Sequence, residues 1–153
     1  RATIKSGAYE RAIRQLNADV RVTARACPLL VPLIEEGWLM SDVTDTVLMQ
    51  YLQPLVDEGM DTLVLGCTHY PLLRPAIHRL LGDSIVLVDS AENCASAVRE
   101  LLSRDALRAS DENTGQLQVA LTDPPDAFLE IAHDALQLEV GEIQLRAVSP
   151  MVL

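Results

Sequence analysis

The chain has 153 residues, of which 49% are hydrophobic and 22% charged, as is typical of a globular protein with a substantial core. The formal net charge is −10, which argues against nucleic acid or an anionic membrane surface as a partner, because like charges repel. No apolar run approaches the roughly 20 residues of a membrane span, and three scattered cysteines without a CxxC pair indicate a reducing compartment, the cytoplasm.

The N-terminal part predicts two helices and a strand. The first residues are interpreted as a loop, and Ser6 as the N-cap of a helix over 8–16, where apolar residues recur at helical spacing. Residues 20–26 alternate enough to predict a short strand. Two prolines and a closing glycine predict a short helix within 28–37.

The middle of the chain alternates strands and helices. A capped helix is predicted over 43–56, and the apolar run 62–65 predicts a strand buried on both faces, as in a parallel sheet covered by helices. A helix over 71–81, a strand over 85–88 and a helix over 91–102 follow.

The C-terminal part continues the alternation. Residues 103–115 are polar and predict a loop, 116–121 a strand, 125–136 a helix and 143–148 a last strand. The whole pattern predicts an α/β protein with a mainly parallel sheet.

The junction after strand 62–65 carries the candidate chemistry. Cys67 follows the strand directly, and the carboxyl ends of parallel strands are where α/β proteins bind ligands. Pro71 suits a first helical position, so Thr68 or His69 would lie at a helix N-terminus with free N–H groups. That setting favours a bound carboxylate, and with a protonated imidazole it favours a thiolate.

Structural interpretations compete with this one. A free cysteine is often a small buried hydrophobe, and we interpret Cys27 and Cys94 in that way. Zinc bound by Cys27, Cys67 and His69 matches no common ligand spacing, so no metal is expected. The only lysine, Lys5, has no phosphate-binding glycine-rich run near it, which argues against pyridoxal phosphate, and we expect no cofactor.

Three segments resemble motifs of the glutamate racemases, within the aspartate/glutamate racemase superfamily. The run Gly-Cys-Thr-His-Tyr-Pro-Leu-Leu at 66–73 resembles the second cysteine motif of that family. Ala-Thr-Ile-Lys-Ser-Gly-Ala-Tyr at 2–9 and Cys-Pro-Leu-Leu-Val-Pro-Leu-Ile-Glu-Glu-Gly at 27–37 resemble two further family segments. The resemblance is strong over 1–90 and loose beyond it.

The resemblance implies a fold of two α/β lobes with the substrate in the cleft between them. Residues 1–90 would form the second lobe, a three-layer lobe with a parallel sheet that carries the second catalytic cysteine. Residues 91–153 would be a C-terminal return segment belonging to the first lobe, which is otherwise largely missing. The chain also begins without methionine, so we expect a fragment.

The activity implied is cofactor-independent interconversion of L- and D-glutamate, which supplies D-glutamate for peptidoglycan. One thiolate removes the α-proton and an opposed thiol delivers another, because a single base would return the proton to the face it left. The chain would hold one of the two thiols and would be inactive alone.

The resemblance also assigns roles to residues. Cys67 matches the cysteine that takes the proton from the L-isomer, His69 the histidine that assists it, and Glu35 an acidic residue that supports the histidine. Thr68 and Thr3 match substrate-binding residues. Glutamate is the implied partner and a homodimer is compatible with the resemblance; aspartate or hydantoin racemase, or a non-catalytic carboxylate-binding module, stay open as alternatives.

Overall fold

A computed structural model describes residues 2–110, 112, 115, 117–123, 129, 132–133 and 139–147 of the chain. The chain forms two compact units, Arg1–Ala91 and Glu92–Leu153. The elements in chain order are α1 (Ala2–Ser6), α2 (Ala8–Leu16), α3 (Leu30–Glu35), α4 (Asp42–Asp57), β1 (Thr62–Leu65), a 3₁₀ turn (Tyr70–Leu73), α5 (Arg74–Leu81), β2 (Val86–Asp89), α6 (Ser90–Arg104), β3 (Val119–Leu121) and β4 (Ile143–Leu145).

The strands pair in parallel in both units. In the first unit β1 lies beside β2, with Thr62 opposite Val86. In the second unit β3 lies beside β4, with Val119 opposite Ile143. Parallel pairing with intervening helices confirms the predicted α/β class with parallel strands.

One face of the β1–β2 sheet lies against the core of the first unit. Leu65 points into that core with 3% of its surface exposed, whereas Val64, on the opposite face, is 41% exposed. The prediction that this strand is buried on both faces is therefore wrong for the described residues: its side chains alternate between the core and an uncovered face. The core draws on α3, α4, β1, the 3₁₀ turn and α5 through Leu30, Ile34, Leu48, Leu52, Leu65, Leu73, Ala76 and Ile77.

Glycines end two of the helices that build this core. After α3, Gly37 has a φ of 73° and donates to the Ile34 carbonyl at 2.9 Å. After α4, Gly59 has a φ of 81° and donates to the Val56 carbonyl at 2.9 Å. These are left-handed helix ends, which glycine adopts without a steric penalty, and they confirm the predicted ends of both helices.

The first residues differ from their prediction. Residues 2–6 form α1 rather than a loop, and Gly7, with a φ of 61°, directly precedes α2. Ser6 is therefore not the N-cap that we predicted. Its hydroxyl nevertheless accepts a hydrogen bond from the Ala8 N–H at 3.3 Å, so it still serves the first turn of α2.

The predicted strand over 20–26 is also wrong. A strand needs a partner, and none of the described backbone hydrogen bonds joins this segment to β1 or β2. Side chains secure it instead: Arg21 and Thr23 both bond to Glu58 at the end of α4.

The predicted helix over 71–81 divides into the 3₁₀ turn and α5. Pro75 lacks the N–H that a continuous α-helix would donate to the carbonyl of Pro71, and its ring would crowd that carbonyl. The chain accordingly makes a tight 3₁₀ turn first and begins the α-helix at Arg74.

The second unit fits its prediction where it is described. Helix α6 extends two residues beyond the predicted 102, and β3 and β4 fall inside the two predicted strands. The predicted helix over 125–136 lies largely outside the described residues, although Leu129, Ala132 and His133 are helical. Across the described ranges, no helix has both the length and the apolar character needed to cross a membrane.

Candidate active site

A tight turn places Cys67 at the carboxyl end of β1. The strand ends at Leu65, and the Tyr70 N–H donates to the Cys67 carbonyl at 3.2 Å, which closes the turn. Cys67 is half-buried, so it is neither enclosed in the core nor fully exposed to solvent. The predicted position of Cys67 directly after the carboxyl end of a parallel strand is confirmed.

His69 folds back toward the thiol. Its Nδ1 lies 4.0 Å from the Cys67 sulfur and 3.5 Å from the Thr68 hydroxyl oxygen. A sulfur–nitrogen separation of that size is the long end of a sulfur hydrogen bond, and such contacts tighten when a substrate binds. The turn therefore holds an imidazole nitrogen at the limit of hydrogen-bond distance from the thiol.

Glu35 approaches the other side of the same imidazole. Its Oε1 lies 3.6 Å from His69 Nε2, and it comes from the last turn of α3. A carboxylate at Nε2 favours a proton on that nitrogen and leaves Nδ1 to face the sulfur. Spacing in the sequence placed Cys67 and His69 together and only the resemblance added Glu35; the three side chains form a consecutive set of contacts.

Thr3 is not brought into this set. It lies exposed in α1, where its carbonyl accepts a hydrogen bond from the Ser6 hydroxyl at 2.7 Å. Within the described part of the chain, no hydrogen bond joins Thr3 to the turn that carries Cys67.

Tyr9 is a neighbour of the turn that the sequence did not single out. A Cβ added to Gly66 would meet the Tyr9 ring at 3.4 to 3.5 Å, so the ring lies directly against the backbone before Cys67. At these distances a side chain at position 66 would be in ordinary van der Waals contact with the ring, so the Tyr9 contact alone does not require glycine there. The contact joins the start of α2 to the end of β1, and the spacing of residues in the sequence does not predict it.

The other two cysteines have different surroundings. Burial raises the pKa of the Cys27 thiol, and nearby Arg25 only partly opposes this effect. A thiol of raised pKa is a poor nucleophile at neutral pH, which fits the structural interpretation of Cys27. Cys94 is exposed on α6.

A buried ion pair ties the end of β2 to the start of α5. Arg74 Nη1 lies 2.8 Å from Asp89 Oδ2, and Asp89 is only 5% exposed. The same guanidinium nitrogen lies 3.5 Å from the Leu87 carbonyl oxygen. The pair thus fixes the helix that follows the Cys67 turn against the neighbouring strand.

The described residues include no cluster of three or more His, Cys, Asp or Glu side chains arranged to hold a metal ion. The turn offers a thiol, an imidazole and a hydroxyl, and Glu35 of α3 adds a carboxylate beside the imidazole.

The fold and this turn define a class, and comparison with known families identifies it. The model of the Asp/Glu/hydantoin racemase family matches residues 1–98, so the chain belongs to that family. Among curated relatives, a glutamate racemase from Geobacter metallireducens is 42% identical over 141 residues, covering 92% of this chain and 52% of the relative. One from Neisseria meningitidis serogroup A is 43% identical over 143 residues, with 94% and 53% covered.

Solved structures give the same result. A glutamate racemase from Francisella tularensis in complex with D-glutamate matches with a TM-score of 0.83 and 29% identity, covering 95% of this chain and 54% of that one. One from Thermus thermophilus in complex with β-chloro-D-alanine matches with a TM-score of 0.77 and 35% identity, with 96% and 54% covered. The chain spans about half the length of the relatives it matches, and the resemblance to glutamate racemases is confirmed.

Proposed function

We propose that this chain supplies one of the two acid–base groups of a glutamate racemase, a cofactor-independent isomerase that interconverts L- and D-glutamate. The main support is the arrangement at the end of β1, where His69 has its two ring nitrogens directed at Cys67 and at Glu35. The relatives that match over most of this chain are glutamate racemases, which supports the choice of substrate.

In the proposed reaction Cys67 acts as the base toward L-glutamate. Its thiolate takes the α-proton and forms an S–H bond, while an opposed acid loses its proton to the other face of the same carbon. No electrons leave the substrate, and the net change is inversion. His69 takes up and returns the Cys67 proton between turnovers, and Glu35 holds the imidazole in the required orientation.

The substrate carboxylate would be bound beside the thiol. The Thr68 hydroxyl lies in the turn, and no described residue accepts a hydrogen bond from the N–H of Thr68 or His69. Backbone N–H groups of this kind suit a carboxylate oxygen. We assign Thr68 to substrate binding on this ground, and we assign Thr3 on the family resemblance alone.

The chain alone is proposed to be inactive. Residues 1–90 would act as the second lobe and 91–153 as a return segment of the first, so the opposed acid would come from a part of the fold beyond these residues. One thiol can only return a proton to the face from which it came. The D-glutamate formed by the complete enzyme would serve peptidoglycan synthesis in the cytoplasm.

The test compares two cysteine variants of the protein expressed from the full reading frame that encodes this chain. Cys67→Ser should lower the rate of D-glutamate formation from L-glutamate by at least about 10³-fold, because a serine hydroxyl is a far weaker acid and base at neutral pH. Cys94→Ser, which alters an exposed thiol on α6, should retain the activity. Undiminished activity in Cys67→Ser would refute the proposal.

Aspartate and hydantoins should be assayed alongside glutamate, because the matching family includes racemases of all three. Turnover of aspartate in preference to glutamate would keep the two-thiol chemistry and replace the substrate. A folded protein that binds glutamate without turning it over would indicate a carboxylate-binding module.

A further inference from the structure

We propose that Tyr70 is a positioning residue that holds the turn carrying Cys67 and His69 against the start of α3, so that the imidazole faces Glu35. The inference rests on the proposed roles of Cys67 and His69, and it adds a residue that acts through them. Nothing in the sequence motif distinguishes such a role from ordinary packing.

Tyr70 is joined to the turn by its backbone. It directly follows His69, and its N–H donates to the Cys67 carbonyl at 3.2 Å. The side chain then reaches across the fold, where its hydroxyl donates to the Cys27 carbonyl at 3.1 Å, 43 residues away in sequence. Moving the tyrosine therefore moves the turn.

The acceptor of this bond belongs to the start of α3. The Cys27 carbonyl also accepts from the Leu30 N–H at 3.3 Å, and Leu30 is the first residue of the helix. Leu30 and Ile34 are 5% and 1% exposed, so α3 is fixed in the core. Glu35 lies at the other end of the same short helix, and the turn is thereby fixed relative to it.

The contact between His69 and Glu35 is too weak to establish this geometry alone. The two side chains are 33% and 57% exposed, and ion pairs in contact with water contribute only about 0–1 kcal/mol. The tyrosine bond is better suited to order the turn, because Tyr70 packs against the core. Burial, together with the nearby Cys27, Cys67 and Tyr51, raises the pKa of Tyr70 to about 12, so its hydroxyl stays a donor at neutral pH.

The test measures whether the chemical shifts of His69 respond to the charge of Glu35, and it does not require turnover. The ring nitrogens of His69 are observed by ¹⁵N NMR of this chain at one pH, with and without Glu35→Gln. We expect Glu35→Gln to displace the His69 signals when Tyr70 is present. In the Tyr70→Phe variant, which keeps the ring and loses the hydrogen-bond donor, Glu35→Gln should displace them by less than half as much. Tyr51→Phe removes the hydroxyl of a neighbouring tyrosine that helps to raise the pKa of Tyr70 but has no described hydrogen bond to the turn, so it should leave the displacement unchanged.

Rescue separates positioning from packing. Para-aminophenylalanine at position 70 retains a hydrogen-bond donor and should restore the displacement toward its native size. An equal displacement in the native and Tyr70→Phe backgrounds would overturn the proposal. So would the absence of any displacement in the native background, because His69 would then not face Glu35 in solution. The NMR result does not depend on enzymatic activity, so it can be interpreted even if the racemase assay shows no turnover.

Discussion

Ala106 has a backbone conformation that glycine adopts at lower energy. Its φ is 54°, and it lies just after α6, where the Leu107 N–H donates to the Leu102 carbonyl at 2.8 Å. A left-handed alanine is disfavoured by roughly 1 kcal/mol relative to glycine. Ala106→Gly should therefore raise the free energy of unfolding by about 0.5–1 kcal/mol, measured by urea denaturation.

Gly37→Ala is the matched control for that variant. Gly37 has a φ of 73° after α3, and a Cβ at this position would meet no atom within 4 Å. Only backbone strain changes, so the free energy of unfolding should fall by about 1 kcal/mol. Equal stabilities of Ala106→Gly and the native chain would contradict the strain assigned to position 106.

The ionisation of Tyr70 should make stability depend on alkaline pH. A tyrosine in an unfolded chain ionises near pH 10, whereas in the folded chain the pKa of Tyr70 is about 12. Between these values the unfolded chain releases the proton and the folded chain keeps it, so the free energy of unfolding falls as the pH rises from about 10 to about 12. Below pH 10 this contribution is fully present.

Urea denaturation of the native chain and Tyr70→Phe from pH 8 to 12 measures this contribution. The variant should be less stable at neutral pH by about 1 kcal/mol, for the lost hydrogen bond to the Cys27 carbonyl. The difference between the two proteins should shrink above pH 10. A constant difference across the whole range would contradict the raised pKa.

Among the elements, the junction of β2 with α5 depends on a buried charge. Replacing Arg74 by methionine would remove the guanidinium that lies 2.8 Å from the Asp89 carboxylate, which is only 5% exposed. Breaking a buried pair in this way typically destabilises a protein by several kcal/mol. Because Arg74 itself is 41% exposed, we expect Arg74→Met to lower the free energy of unfolding by about 2–3 kcal/mol.

Two comparisons isolate the effect of that pair. Arg79 bonds to Asp45 at 2.7 Å in a more exposed ion pair, and Arg79→Met should lower the free energy of unfolding by less than about 1 kcal/mol. Adding Asp89→Asn to Arg74→Met should recover part of the loss, since the buried charge disappears. Similar losses for Arg74→Met and Arg79→Met would refute the importance of burial.

The same elements show what sequence patterns can predict. The helix from Asp42 and the strand Thr62–Leu65 were predicted closely, because a serine cap, terminal glycines and an apolar run mark their ends. The segment 20–26 alternates as a half-buried strand would, but it gains no strand partner among the described residues, which a local pattern cannot reveal. The division of the helix after Pro71 could have been anticipated from Pro75, whose missing N–H is evident in the sequence.

The candidate site was predicted in type but not in arrangement. Spacing located Cys67 and His69 at the end of a strand, but it could not decide between Glu35 and its neighbour Glu36. The structure places Glu35 beside the imidazole. The Tyr9 ring on Gly66 joins residues distant in sequence, and such contacts follow only from tertiary packing.

For the whole molecule, the central claim is that inversion at Cα needs Cys67 and a second acid that this chain alone does not supply. A thiol carries a single proton, so the proton that one thiol removes is not the proton that the opposed thiol delivers. In D₂O, D-glutamate formed early from L-glutamate should therefore carry deuterium at Cα, while the remaining L-glutamate stays largely undeuterated.

The measurement to make is this deuterium experiment, performed with the protein from the full reading frame and with the 153-residue chain alone. We predict deuterated D-glutamate from the former, loss of that product in Cys67→Ser, and no D-glutamate from the latter. D-Glutamate formed by the 153-residue chain alone, or formed at the native rate without Cys67, would contradict the account.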